Sequence, residues 1–515
     1  MTDLYFEQTD DNRLLPSEPP EKSAQEVLPF VTAYLEQWEK SPQRKFMDVC
    51  ERYYNNKNDI FNKERTIIGK DDNNTPILVK AELLANNHLS HNFLQKLTKQ
   101  KLGYIISKPF TIDPDNPDDG EAKEMITAIK PYYTKNFHKM VKNCARDAVV
   151  NGLGWVQVYY DEKGELGFKR IPSKEVAPIW GDIDHTELNG VIRKYDTNDY
   201  TSGQMINTTH VEYYTKDRVY YYIYGLGKGL YPDTTRFVNA VGPQYFGAPP
   251  DDGYTASNSV LGLNWGKVPF IPFKYNSEET TLLSKIKELI DEYDNKTSHI
   301  ANMIDDIPNS FKVIKNYDGK NKEEFVYNMN QLRTLFVQGD GDASTLESPL
   351  NVTEIDVHLQ RLREDIYEFG QGVNTADKDI RDTSGVALRF MYADLDMDCN
   401  DWSPELETSI MSMIEFIQKD IEAKTQKDYS DVQYSILFNT DVIINETETI
   451  TNAFTSKGII SDATIAANHP WTRDVDKELD NMHSEDVDEL KLEQQYGNKP
   501  KATMDNQIRS SGTVK

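Results

Sequence analysis

The sequence has few cysteines and no long apolar run, and each shortage excludes a class of protein. Its three cysteines, Cys50, Cys144 and Cys399, lie far apart without a CxxC pair, so neither a disulfide framework nor a zinc site is predicted. No stretch reaches the roughly 18 apolar residues that cross a bilayer, and the acidic first 25 residues lack the apolar core of a signal peptide. We therefore expect a chain of the reducing cytoplasm, without membrane attachment.

Cationic charge is also scarce. Lys and Arg number 57 against 84 Asp and Glu, which gives a formal net charge of -27 at pH 7. Tight clamping of phosphates by the whole surface needs clustered cations and is therefore excluded. An acidic surface still suits a protein that faces DNA without adhering to it, because each cation that neutralises a phosphate adds salt-dependent affinity.

The 515 residues suffice for roughly three domains of about 150 residues, and 29 Tyr and 20 Phe supply material for their cores. Helical spacing of apolar residues predicts helices over 27–54, 83–102, 121–133 and 136–151. Alternating patterns around turn residues predict hairpins over 155–171 and 211–224, followed by a long surface loop over 225–262. The predicted fold class is α+β and mainly helical.

Three further helices carry the most information. Residues 282–305 and 353–369 have apolar stripes and flank a compact outgrowth, which contains predicted short strands at 310–314 and 334–337 and a small helix at 323–329. A long helix follows from Ser384 to about Ala423, and Pro404 is expected to kink it. Such a helix more often spans neighbouring parts of an assembly than the core of a small globule. A strand at 433–438 and short helices complete the chain.

Motifs that bind cofactors or carry out catalysis are missing. The glycine-rich stretches near Gly225 and Gly339 fit neither phosphate-loop pattern, and the Asp-rich segment 113–121 departs from the EF-hand order. No HExxH or GxSxG occurs, and the nine histidines are scattered. We therefore assign no catalytic, cofactor-binding or metal residue and expect that the chain is not an enzyme.

Several segments, in order along the chain, carry a resemblance to a known family. They are residues 52–61, 85–93, 101–110, 159–160, 171–180, 266–273, 290–302 and 383–390. Together they resemble the SPP1-type portal family of tailed bacteriophages over about residues 30–490. Asn56 and Ser107 stand where that family usually has Gly.

The resemblance implies a portal fold that assembles into a ring with a central channel, usually of twelve subunits. It implies the following regions: a disordered arm at 1–25, a wing at 26–273, a stem helix at 274–305, a clip at 306–352, a second stem helix at 353–370, a tunnel loop at 371–383, a long kinked wing helix and strand at 384–442, a crown at 443–492 and a disordered tail at 493–515.

The implied function is the channel at one capsid vertex of the virion, through which double-stranded DNA is packaged and ejected. Implied partners are the terminase large subunit, scaffolding protein, major capsid protein and a head-to-tail adaptor, with assembly in the cytoplasm of the host bacterium. No cofactor is implied. Two alternatives remain at this point: another head or baseplate protein of the virion, and an acidic cytoplasmic enzyme with an unrecognised site.

The tunnel loop is the expected DNA-facing part. We hypothesise that its charged residues form a near-neutral collar that contacts the duplex weakly; they are Asp377, Lys378, Asp379, Arg381 and Asp382. The alternative is a solvated linker between two helices. The two stem helices have an ordinary alternative as well, because their apolar stripes also permit packing within one chain.

Overall fold

The protein is represented by a computed structural model, which describes residues 23–70, 75–81, 84–161, 163–201, 204–225, 227, 229–247, 261–306, 311–317, 337–346, 352–375, 390–438, 446–467, 469, 471–472, 475, 478–479, 481–482 and 484. The chain divides into two compact units. One comprises Met1–Ala376 with Tyr392–Asp441, and the other comprises Asp377–Met391 with Val442–Lys515.

The described helices belong to both units. In the first unit they are α1 (Ala24–Lys40), α2 (Pro42–Tyr54), α3 (Phe93–Ile105), α4 (Gly120–Ile129), α5 (Lys135–Asn151), α6 (Leu282–Asp306), α7 (Val352–Phe369) and α8 (Ala393–Thr425). In the second unit they are α9 (Glu446–Ser456) and α10 (Asp462–Ala467). No helix within these described stretches is both long and apolar enough to cross a bilayer.

The described strands pair antiparallel throughout. They are β1 (Thr66–Lys70), β2 (Pro76–Lys80), β3 (Thr111–Pro114), β4 (Leu153–Tyr160), β5 (Leu166–Ile171), β6 (Val176–Trp180), β7 (Leu188–Thr201), β8 (Gln204–Tyr214), β9 (Val219–Gly225), β10 (Gly229–Pro232), β11 (Val241–Gly242), β12 (Tyr245–Gly247), β13 (Leu261–Leu263), β14 (Phe270–Lys274), β15 (Phe311–Tyr317), β16 (Val337–Leu346) and β17 (Tyr434–Leu437).

Two sheets organise the first unit. The larger has the order β10-β9-β8-β7-β6, with β11 also paired to β9, and α1 packs on it through Val27, Val31 and Leu35. The smaller has the order β14-β4-β5. Helix α8 lies against β14, where the Trp402 indole N–H donates to the Lys274 carbonyl at 3.0 Å and the Ser409 hydroxyl donates to the Pro272 carbonyl at 2.8 Å. This packing joins the long helix to the sheet.

Several sequence predictions agree with these elements. The helices expected at 282–305 and 353–369 are α6 and α7, and the two expected hairpins are β4-β5 and β8-β9. The expected strand at 433–438 contains β17, which pairs with β3. The small helix expected at 323–329 and residues 384–389 of the long helix lie outside the described residues, as do residues 1–22 of the expected arm and the expected tail at 493–515. The arm was expected to extend to residue 25, but α1 begins at Ala24, which is buried.

Three predictions were wrong in part. The helix expected over 27–54 is two helices, because Pro42 begins α2 and the Ser41 side chain caps it by accepting the Arg44 N–H at 3.1 Å. The helix expected over 83–102 begins only at Phe93, after Asn92 caps it. The loop expected over 225–262 contains the short strands β10, β11 and β12 and the first residues of β13.

Candidate functional site

The five charged residues predicted to face DNA lie outside the described residues, since residues 376–389 are not described. Both flanks of this segment are described: 371–375 follows α7, and α8 begins at Ala393. The candidate site is therefore the place where these two flanks are held, which is one face of α3.

The chain passes very close to α3 directly after α7. A Cβ atom on Gly372 would lie 2.2 Å from the Leu97 Cδ2 atom, and one on Gly370 would lie 2.6 Å from the Ile366 carbonyl oxygen. Between these two glycines Gln371 has a φ of 48°, in the left-handed region. Glycine is thus required here by close approach, and the turn directs the chain across α3.

Polar side chains of α3 then bind the backbone of the first flank. The Gln100 side-chain amide donates to the Val373 carbonyl at 2.7 Å and its oxygen accepts the Val373 N–H at 3.2 Å. One turn earlier, the Lys96 ammonium donates to the Thr375 hydroxyl at 3.3 Å. The paired bonds at Val373 satisfy both backbone groups of one residue, which fixes its position without a sheet.

Lys101 binds both flanks at once. Its side chain is fully buried, and its ammonium donates to the Gln371 carbonyl at 3.1 Å and to the Asp398 carboxylate, on α8, at 2.6 Å. The Tyr275 hydroxyl lies 2.8 Å from each oxygen of that carboxylate. A single buried cation therefore connects the residue after α7 to the first turns of α8.

The electrostatics of this cluster follow from its burial. Removal from water lowers the pKa of Lys101 below its usual value, while the Asp398 carboxylate opposes that shift. Burial, and secondly the charge of Asp398, raise the pKa of Tyr275 well above its usual value, so this hydroxyl remains a donor. The Lys285 ammonium, at the start of α6, donates to the Gln371 side-chain oxygen at 3.0 Å. Side chains of α3, α6 and α8 thus meet around Gln371 and Asp398.

Sequence reasoning missed Lys101 and Asp398, although one signal was present. Lys101 falls on the apolar stripe of α3 that includes Leu94, Leu97 and Ile105, where helical spacing calls for an apolar residue. A cation at such a position needs a buried partner, because an isolated charge in the interior is very costly. The partner itself, almost 300 residues later, had no local signal.

A second polar arrangement lies along α6. Residues 85–91 run extended beside the helix, and four α6 side chains, spaced by four residues, each accept one backbone N–H from alternate residues of this segment. The pairs are Asp294 with His91 at 2.9 Å, Ser298 with Leu89 at 2.8 Å, Asn302 with Asn87 at 2.5 Å and Asp306 with Ala85 at 3.1 Å.

The geometry explains this match. Four residues of α-helix rise about 6 Å, and two residues of extended chain advance about 6.6 Å. The acceptors and donors therefore stay aligned over four pairs. Asp294 is fully buried and also accepts the Asn58 amide at 2.6 Å and lies 2.7 Å from the His91 ring nitrogen Nδ1. Two of the segments that carried the family resemblance, 85–93 and 290–302, are thus in contact.

Other groups that could carry chemistry do not gather into a site. Within the described ranges, His, Cys, Asp and Glu side chains nowhere form a group of three that could hold a metal ion. The three cysteines are buried and unpaired, and burial raises the pKa of Cys50 and Cys399 to about 12. Thiols in this state are poor nucleophiles.

Comparison with known proteins decides the family. The family described as "Phage portal protein, SPP1 Gp6-like" matches residues 38–498. The chain belongs to this portal family. It is 26% identical to the "Portal protein" of Bacillus phage SPP1 over 450 residues, which are 84% of this chain and 82% of that relative. It is 27% identical to the "Portal protein" of Clostridium phage phiCD119 over 465 residues, 87% of this chain and 94% of that relative.

Membership confirms the resemblance found in the sequence. The chain is a phage portal protein, and its function is that of a channel for DNA packaging and ejection. Portal proteins are structural rather than catalytic and form part of the virion capsid. Neither alternative, another virion protein or an acidic enzyme, is favoured by these relatives.

Proposed function

We propose that twelve copies of this chain form a ring at one capsid vertex, with a central channel for double-stranded DNA. The observation that carries this proposal is the family match, which covers nearly the whole chain from residue 38 to 498. The packing of α6 against α7 supports their assignment as the stem helices, with the intervening residues 306–352 as the clip. The wing at 26–273, the long helix and strand at 384–442 and the crown at 443–492 complete the proposed organisation.

Residues 371–383 form the tunnel loop in this proposal. Hydrogen bonds from Gln100 and Lys101 of α3 to both flanks support this assignment, because a loop that contacts moving DNA needs fixed ends. Asp377, Lys378, Asp379, Arg381 and Asp382 form a near-neutral collar that touches the duplex without strong binding. The competing possibility is a solvated linker with no role in DNA passage.

The collar is tested by Lys378→Ala combined with Arg381→Ala, in assembled particles. Loss of these two cations makes the loop more acidic, so we expect altered packaging yield, DNA retention or ejection. A matched control is Lys45→Ala with Lys57→Ala, two exposed lysines whose ammonium groups have no ion pair within the described residues. Unchanged packaging, retention and ejection in the loop variant would leave the linker interpretation.

The proposed partners follow from the channel. The terminase large subunit docks on the clip, and scaffolding protein, major capsid protein and a head-to-tail adaptor contact the remaining ring during assembly in the cytoplasm of the host bacterium. The chain acts as a passive conduit, and the motor supplies the energy of packaging.

The experiment that tests the ring is the mass and shape of the purified protein at moderate salt, from light scattering and negative-stain images. A closed ring of twelve copies of 59.2 kDa has a mass of about 710 kDa and a central hole. A compact dimer without a channel would contradict the proposal.

A further inference from the structure

One segment of this acidic chain is free of acidic residues. Between Glu124 and Asp147 no Asp or Glu occurs, while Lys130, Lys135, Lys139, Lys142 and Arg146 do. Since the whole chain contains 84 acidic residues, this segment is the opposite of its surroundings in charge. It includes most of helix α5.

Three of these lysines form one exposed stripe, which we call the α5 stripe: Lys135, Lys139 and Lys142. Their spacing of four and three residues puts them on one side of the helix, and all three are exposed. The opposite side of α5 is buried in the first unit through Phe137 and Val141. Across the part of the chain that the structure describes, the three ammonium groups make no ion pair.

The first part of α8 is acidic and so opposite in charge to the α5 stripe. From Phe390 to Gln418 the chain contains seven acidic residues and no Lys or Arg. Four of the seven have partners: Asp396 accepts Tyr104, Asp398 binds Lys101, Glu407 accepts the Ile436 N–H and Glu415 pairs with Lys267.

The remaining three acids are Asp394, Asp401 and Glu405, which we call the α8 stripe. Offsets of seven and eleven residues put them on one side of α8. Asp394 and Asp401 are exposed and Glu405 is half-buried, and none of the three carboxylates has an ion pair in the described part of the chain. Two intervals recur in the α5 stripe: seven residues separate Lys135 from Lys142, and four separate Lys135 from Lys139.

We propose that the α5 stripe of one copy docks beside the α8 stripe of a neighbouring copy; this proposal rests on the ring proposed above. A ring needs a heterologous contact, in which two different surfaces of one chain meet in every interface. Two stripes of opposite sign, neither of which has an ion pair within the described residues, meet that need. They also oppose the general repulsion between copies that carry a charge of -27 each.

A second copy is favoured over DNA as the occupant of the α5 stripe. Phosphate binding needs a broad field of cations, whereas this stripe holds only three free lysines on a strongly acidic protein. The α8 stripe offers three carboxylates of the opposite charge. Exposed ion pairs are individually weak and act mainly on register and partner choice, which is what closure of a ring requires.

Charge reversal tests the contact. The variants are Lys135→Glu with Lys139→Glu and Lys142→Glu, then Asp394→Lys with Asp401→Lys and Glu405→Lys, and finally all six together. We expect each triple variant to associate about tenfold more weakly at low salt, and the sixfold variant to recover the ring. Mass photometry and light scattering over a salt series measure the association, and circular dichroism verifies folding.

The matched control is Lys45→Glu with Lys57→Glu and Lys163→Glu, which makes the same charge change at exposed lysines elsewhere. The control is expected to keep the ring. A wild-type ring with unaffected triple variants, or a folded sixfold variant that does not recover, overturns this contact alone. A loss of duplex DNA binding without any loss of association would make the α5 stripe a DNA contact and also overturn it. A wild-type protein that stays monomeric overturns the contact together with the ring.

Discussion

Replacement of Lys101 by methionine should be among the most destabilising single changes in this chain. The substitution preserves length and volume but removes the cation that binds both the Gln371 carbonyl and the Asp398 carboxylate. Asp398 then remains as a buried carboxylate with about 7% of its side chain exposed, and it has lost its hydrogen-bonded cation. Loss of one partner of a buried ion pair typically costs about 3–5 kcal/mol.

The structure indicates a value near the lower end of this range. The Tyr275 hydroxyl still donates to Asp398, and the half-exposed Lys285 ammonium lies 3.8 Å from the same carboxylate. We therefore expect Lys101→Met to reduce the free energy of unfolding by about 3 kcal/mol. Addition of Asp398→Asn should restore much of the loss, because it removes the uncompensated charge while keeping an acceptor for Tyr275.

Urea denaturation followed by tryptophan fluorescence measures these changes, at one fixed protein concentration because association of copies adds stability. Lys99→Met is the control on the same helix, since its exposed ammonium donates to Gln95 at 2.9 Å and makes no ion pair among the described residues. Its effect should stay within about 0.5 kcal/mol. A loss below about 1 kcal/mol for Lys101→Met, or an additive double variant, would refute the reasoning that the pair is buried and coupled.

Three further predictions concern packing, backbone bonding and pH. Gly372→Ala should lower the melting temperature, because its Cβ atom would lie 2.2 Å from the Leu97 side chain, and overpacking of this kind costs about 1–3 kcal/mol. A second substitution, Leu97→Ala, should partly relieve the clash. An unchanged melting temperature in Gly372→Ala would contradict the close approach. Asn302→Ala should speed hydrogen exchange at the Asn87 N–H, which loses its acceptor at 2.5 Å, and unaltered exchange would argue against the bond. Burial lowers the pKa of His138 below its usual 6.5, so the unfolded chain binds the proton more readily than the folded chain. Stability should therefore fall as pH drops below 6.5. His138→Gln should remove this dependence of the melting temperature on pH, measured between pH 5 and 8.

Strongly amphipathic elements could be predicted from the sequence almost to the residue. The helix expected at 282–305 ends one residue later, and the helix expected at 353–369 begins one residue earlier. Both have a sustained apolar stripe, and such a stripe buries itself in nearly any tertiary context. The family resemblance likewise came from short local motifs, and the match over 38–498 confirms it.

The segment before α3 could not be predicted in this way. Residues 84–92 have spacing compatible with a helix, yet four N–H groups, those of alternate residues from Ala85 to His91, are bound by side chains of α6, more than 200 residues later in the chain. A long-range acceptor that competes with the helical hydrogen bond leaves no trace in local periodicity. The tunnel-loop residues stay a prediction, because they lie outside the described residues.

The polar face of α6 shows why helical patterns locate elements more reliably than they locate function. Asp294, Ser298 and Asn302 continue the four-residue row of the buried Leu282, Ile286 and Ile290. Their polarity predicts contact with water, but all three are buried and bind residues 87–91. An extended segment outside any sheet needs partners for its N–H groups, and apolar side chains cannot supply them. Polar residues at four-residue spacing on a helix satisfy this need, just as Gln100 and Lys101 do for residues 371–373. Polar side chains of α3 and α6 therefore hold irregular chain in place at two positions, residues 371–373 and residues 85–91.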